Sequence, residues 1–118
     1  MSERKSPQDL SEQTTCQEME IHNILEKERC LMSSRSFMLG GMEMSVKVVK
    51  SYQEVGVGLK NCSHEDVVTS VTFKEASGWE DSWEMEKIER KKLKWASKSL
   101  SLGAVLKLEV TVTLHTER

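Results

Sequence analysis

Cys62, His64 and Asp66 alternate through the polar stretch Asn61-Cys62-Ser63-His64-Glu65-Asp66. A loop of that kind can lend ligands to zinc, or set a thiol beside an imidazole base. A tetrahedral zinc site needs a further cluster of ligands, and no second Cys/His group follows at metal spacing. Nucleophilic catalysis needs a base fixed by a third group and close to the nucleophile in space. Neighbourhood in sequence supplies neither. The other histidines, His22 and His115, stand apart from this stretch. There is no Gly-x-Ser-x-Gly, phosphate-cradling glycine loop or His-Glu-x-x-His, and Gly56-x-Gly58 is only a fragment of a nucleotide motif. The residues predict no catalytic group, no metal and no cofactor. The plain reading of 61–66 is a polar turn, and its Asn-x-Ser sequon is a chance match.

Two other sets of side chains could bind a macromolecule. Lys87, Arg90, Lys91, Lys92, Lys94 and Lys98 surround Trp95. A positive patch beside an aromatic can track a nucleic-acid backbone, with Lys91, Lys92 and Lys94 at its centre. Glu84, Glu86 and Glu89 are interleaved with these lysines at helical spacing, which is also the pattern of a solvated, salt-bridged face. The second set is aromatic. Trp79 follows Ser77-Gly78 at the start of a loop, Trp83 comes soon after, and Tyr52 sits on an expected hairpin turn. Core packing is the ordinary use of tryptophan. A loop tryptophan beside a sheet can also anchor a protein partner.

Composition narrows the classes. The chain has 118 residues, with 37% hydrophobic and 31% charged, and a formal net charge of -2. That length suits one small domain. The near balance of charge provides no global attraction for nucleic acid or anionic membrane. Three cysteines, Cys16, Cys30 and Cys62, do not make a disulfide framework. The N-terminal residues carry no apolar run, and no segment has the length of a membrane span. The expectation is an intracellular protein, cytoplasmic or nuclear, with no membrane partner.

The elements that would position these residues are mainly strands. Residues 1–14 are polar and read as a disordered tail, with a single domain over 15–118. Thr15-Cys16-Gln17-Glu18 has the capping-box arrangement, and Ile21, Ile24, Leu25, Leu31 and Met32 recur at helical spacing, predicting an N-terminal helix. After Gly40-Gly41 the period becomes two. Met42, Met44, Val46 and Val48 form one strand, Lys50-Ser51-Tyr52-Gln53 a turn, and Val55, Val57 and Leu59 the return strand. Gly56 and Gly58 share one face and leave room for a backbone or an aromatic ring. A third strand is expected at 67–74. Asp81-Ser82-Trp83-Glu84 then resembles an N-cap, predicting a short helix over 82–96, although Leu93 and Trp95 also fit a short strand. Finally Leu106, Leu108, Val110, Val112 and Leu114 alternate with Lys107, Glu109, Thr111 and Thr113. That closing strand has one face for a core and one for water. The fold class is mainly β, or α+β: an antiparallel sheet, in part a β-sandwich, with two helices. The order helix, three strands, helix is also similar to that of a double-stranded RNA-binding domain.

The second half resembles a MATH (meprin and TRAF homology) domain in shortened or divergent form. The resemblance rests on Phe73, Gly78-Trp79, Trp83, Ile88, Leu93, Leu102 and the closing strand. Upstream it rests on Phe37-Met38-Leu39-Gly40-Gly41, Met44-Ser45-Val46-Lys47-Val48 and residues 55–59. This chain has Met44 where the family has Trp, Asp81 where an aromatic follows the Gly-Trp loop, and only a short loop between Leu59 and Val67. The resemblance implies an antiparallel β-sandwich with an adaptor's role, holding an extended peptide on an edge or face of the sheet. Exposed strand edges lead to the same class by a different route. The expected function is a non-catalytic protein–protein interaction module, binding at a sheet edge or the Gly-Trp loop through Trp79, Tyr52 and Trp83. The alternatives are an RNA-binding module using 87–98, and a subunit that folds only with its partner.

Overall fold

The computed structural model describes residues 10–26, 29–51, 54–98, 100 and 105–117. The alternating C-terminal segment forms β9 (Val105–Glu117), a central strand of the first sheet. Leu106, Leu108, Val110, Val112 and Leu114 are buried, while Lys107 and Glu109 are exposed on the other face. β9 lies between β1 (Leu10–His22) and β6 (Val67–Glu75), and β7 (Glu80–Ile88) completes the sheet in the order β1-β9-β6-β7. Every pairing is antiparallel.

The second sheet forms around the expected hairpin. β4 (Met42–Ser51) pairs with β5 (Glu54–Asn61), and β5 pairs with the short β8 (Leu93–Trp95). On its other side β4 meets β2 (Arg29–Ser33) and then β3 (Phe37–Leu39), which share one edge in tandem. Ser34 bridges the break between them. Its N–H donates to Val46 O at 2.9 Å, and its Oγ accepts from Val46 N–H at 2.9 Å. Gly40 and Gly41, at φ 58° and 80°, link β3 to β4 in a two-residue turn that few side chains tolerate. The two sheets face each other across one core, with Val46, Val48, Val57 and Leu59 on one side and Val71, Phe73, Val110 and Val112 on the other. Full burial of each such side chain is worth about 1.5–3 kcal/mol.

The antiparallel β class holds, and neither predicted α-helix forms. The first is replaced by β1, which starts at Leu10 and takes residues 10–14 into the sheet rather than a tail; residues 1–9 lie outside the described residues. Its inner face runs Gln13, Thr15, Gln17, Met19 and Ile21, grading from exposed Gln13 to buried Ile21, with its first three residues polar. The apparent helical spacing of Ile21 and Ile24 comes from a strand end followed by a 3-10 turn (Ile24–Glu26). Asn23, at φ 58°, turns the chain between them.

The second predicted helix is β7, a turn at 89–92, and β8. A bulge sets Glu84 and Met85 against Ser70, because Thr69 pairs with Glu86 and Val71 with Trp83. Met85 has φ 51°, and its N–H donates to Ser70 Oγ at 3.0 Å. The extra residue shifts the strand's phase. Trp83 and Ile88 therefore face the same core at a spacing that strict alternation forbids.

Candidate functional site

The side of the sandwich formed by β7 and β8 holds most of the side chains singled out in the sequence. Trp83 packs edge-on to Phe73, with ring centroids 5.4 Å apart, and donates from Nε1 to Thr69 Oγ1 at 3.0 Å. Lys94 reaches across from the other sheet. Its Nζ lies 5.1 Å from the centre of the Trp83 ring and 3.8 Å from Glu86 Oε1. A residue chosen for protein binding and one chosen for nucleic acid thus join in a single contact between the sheets. Lys91 donates to the Cys62 carbonyl at 2.7 Å, and Lys92 sits exposed in the turn. Lys87 lies 3.9 Å from Asp66. The basic run is distributed over a strand, a turn and a sheet-to-sheet contact.

Trp79 is half-buried and packs against the core. It closes the β6–β7 hairpin, where its carbonyl accepts from Glu75 N–H at 2.9 Å. Glu75 orders this loop. Its carboxylate accepts from the Ser77 N–H and hydroxyl and from Lys107 N–H. Burial pushes the Glu75 carboxyl up, and the hydrogen bonds from Ser77, Lys107 and Ala76 outweigh it, leaving the pKa below its ordinary value. Asp81 ties the segment after β8 to β7 by accepting from Lys98 N–H and Ser97 Oγ–H. Burial pushes its carboxyl up too, and bonds from Lys98, Ser82 and Ser97 bring it below the ordinary value. Tyr52 lies outside the described residues.

The loop 62–66 is held by a residue read as incidental in the sequence. Asn61 is fully buried, donating to Glu65 O at 2.7 Å and Ile88 O at 2.9 Å and accepting from the Ser63 N–H and hydroxyl. Its amide is spent on structure. Cys62 Sγ lies 3.6 Å from Ser45 Oγ, His64 is exposed, and Asp66 accepts from Arg90 N–H. The ligand atoms of Cys62, His64 and Asp66 do not gather into a metal-sized group among the described residues.

One arrangement fills the room expected beside Gly56 and Gly58 with both a backbone and an aromatic ring, and two others escaped the sequence. Trp95 lies over the glycines of β5, where a side chain at 58 would meet Lys94 O at 2.6 Å and Trp95 Cε3 at 2.8 Å. The aromatic ring covers the strand where the glycines leave it bare. On the outside of the first sheet, His115 Nε2 lies 2.8 Å from Ser70 Oγ, and its Nδ1 lies 3.5 Å from Glu12 Oε2, buried without a hydrogen-bond partner. The Ser-His-Glu order imitates a nucleophilic triad, but the Glu contact is beyond hydrogen-bond length and Ser70 Oγ already accepts from Met85 N–H.

The third is β1 itself. It pairs with β9 over all thirteen residues without a bulge, and among the described residues it has no strand on its other side. Glu18 stands directly opposite Glu109. Their carboxylates and Cys16 Sγ come within 4.8 Å of one another, all exposed. Glu18 and Glu109 border a concavity of about 430 Å³ that reaches across β9 to Glu75 and Ala76 of the Gly-Trp hairpin and is also lined by Lys74 and Lys107.

No family model and no curated protein matches this chain. Among the described residues no helix is long and apolar enough to cross a membrane.

Proposed function

We propose that this chain is a non-catalytic protein-interaction module that takes an extended segment of a partner onto the free edge of β1. The observation that carries the reading is the strand's regularity: thirteen residues with no bulge or proline, paired on one side only among the described residues. Such an edge offers a row of backbone donors and acceptors, while alternate side chains supply specificity. The resemblance of residues 37–115 to MATH domains supports the same class of function. The concavity walled by Glu18, Met19 and Glu20 of β1 supports it as well, since it lies beside the edge where a strand would dock.

The test is selection from a random ten-residue peptide library, followed by amide hydrogen exchange of the complexes. Selected peptides are expected to slow exchange in β1. Failure to select any binder, or protection confined to other strands, would overturn the reading.

A further inference from the structure

The charges along β1 identify the kind of segment that fits, an inference that rests on edge docking as proposed above. Its outward positions include Glu12, Glu18 and Glu20, and the strand has no Lys or Arg. Glu18 faces Glu109 across the ladder, and neither makes an ion pair among the described residues, although Lys74 stands opposite Glu109 on β6; Glu20 stands opposite Lys107 and meets His22 Nε2 at 2.6 Å. Like charges set directly opposite each other in a sheet are destabilising. Glu12, farther along the same face, lies 3.5 Å from the buried and unpartnered Nδ1 of His115. The inward positions beside Glu18 and Glu20 are Met19 and Ile21.

We infer that β1 accepts an extended peptide in which Lys or Arg alternates with apolar residues, its cations meeting Glu18, Glu20 and Glu109. In a strand laid beside β1, every second side chain falls next to the outward carboxylates, and the intervening ones fall next to Met19 and Ile21. A second copy of this chain, paired over all thirteen residues of β1, fits worse. Two-fold antiparallel pairing centred on Cys16 sets Glu12 of one copy against Glu20 of the other, twice over. The outward carboxylates thus disfavour that full-length self-pairing and favour a basic strand.

The experiment is fluorescence anisotropy with the full chain and a labelled ten-residue peptide alternating Lys and Val. The wild type binds it, and a peptide alternating Glu and Val does not bind. The double substitution Glu18→Gln, Glu109→Gln weakens binding roughly three- to tenfold. The same charge loss on β7, Glu80→Gln with Glu84→Gln, leaves it unchanged. N-methylation of alternate residues of the Lys-Val peptide abolishes binding, because it removes the backbone donors. Equal binding by the Glu18/Glu109 variant, or by the N-methylated peptide, overturns the inference. If library-selected peptides protect β1 while the double variant binds the Lys-Val peptide as well as wild type, edge docking stands and the charge rule falls. If no selected peptide protects β1, docking itself falls.

Discussion

The two long sides of the sandwich are built differently. On one side β7 is tied to β8 by Lys94 over Trp83, to β5 by the buried Asn61 amide on Ile88 O, and to the segment after β8 by Asp81 on Lys98. The exposed side of β5 is also covered along much of its length, since Lys92, Ala96 and Leu100 all exchange backbone bonds with it. On the other side β1 runs straight, unbulged and acidic. Where β7 carries a bulge at Met85, β1 has none. Bulges and covering segments are the usual means of stopping an edge from recruiting another strand. One side is therefore sealed for stability, and among the described residues the other keeps its backbone groups available.

The sharpest way to break this contrast is to open the sealed side. Asn61→Ala removes both donors to Glu65 O and Ile88 O and leaves a void in a fully buried position. A loss of about 2–4 kcal/mol is expected in urea unfolding. A loss below about 1 kcal/mol would mean that the loop is held by something else.

Trp83→Ala is expected to cost about 2–3 kcal/mol, since the side chain is only half-buried. Combined with Lys94→Ala in a double-mutant cycle, it should show a coupling of about 0.5–1 kcal/mol. Zero coupling would reduce the contact between the sheets to mere proximity.

These two sites also show what the sequence could and could not disclose. β4, β5, β6 and β9 were readable because each buries an apolar residue at every second position and is mostly polar or glycine in between. β1 was not, because Gln13, Thr15 and Gln17 occupy its inner face. A trace remained, since Glu12, Glu18 and Glu20 all fall on even positions while the odd ones carry no charge. β7 was obscured by its bulge, which turns period two into a spacing that mimics a helix turn. Trp83 and Lys94 were each visible as binding chemistry, but that each occupies the other is a tertiary fact. Glu18 against Glu109 depends on the register between two strands at opposite ends of the chain, which no local pattern specifies.

Acid gives a milder probe of the sealed side. The folded-state pKa values of Asp81 and Glu75 are lowered, so their contribution is present above the unfolded carboxylate value and is lost as pH falls through the folded one. Stability should therefore decline below about pH 4. Asp81→Asn should flatten that decline while lowering stability slightly at neutral pH. An unchanged acid slope would remove Asp81 from the account.

The smallest expected effect has the opposite sign. Glu18→Gln relieves the repulsion with Glu109 and should raise stability by about 0.2–0.5 kcal/mol while weakening the basic peptide. A destabilised variant would mean that the pair is not strained.

The most direct measurement compares the two sides in one experiment: hydrogen exchange of β1 and β7 amides, with and without a library-selected peptide. Slowed exchange is expected along β1, with no change along β7. Protection of β7 with β1 unaltered would contradict it.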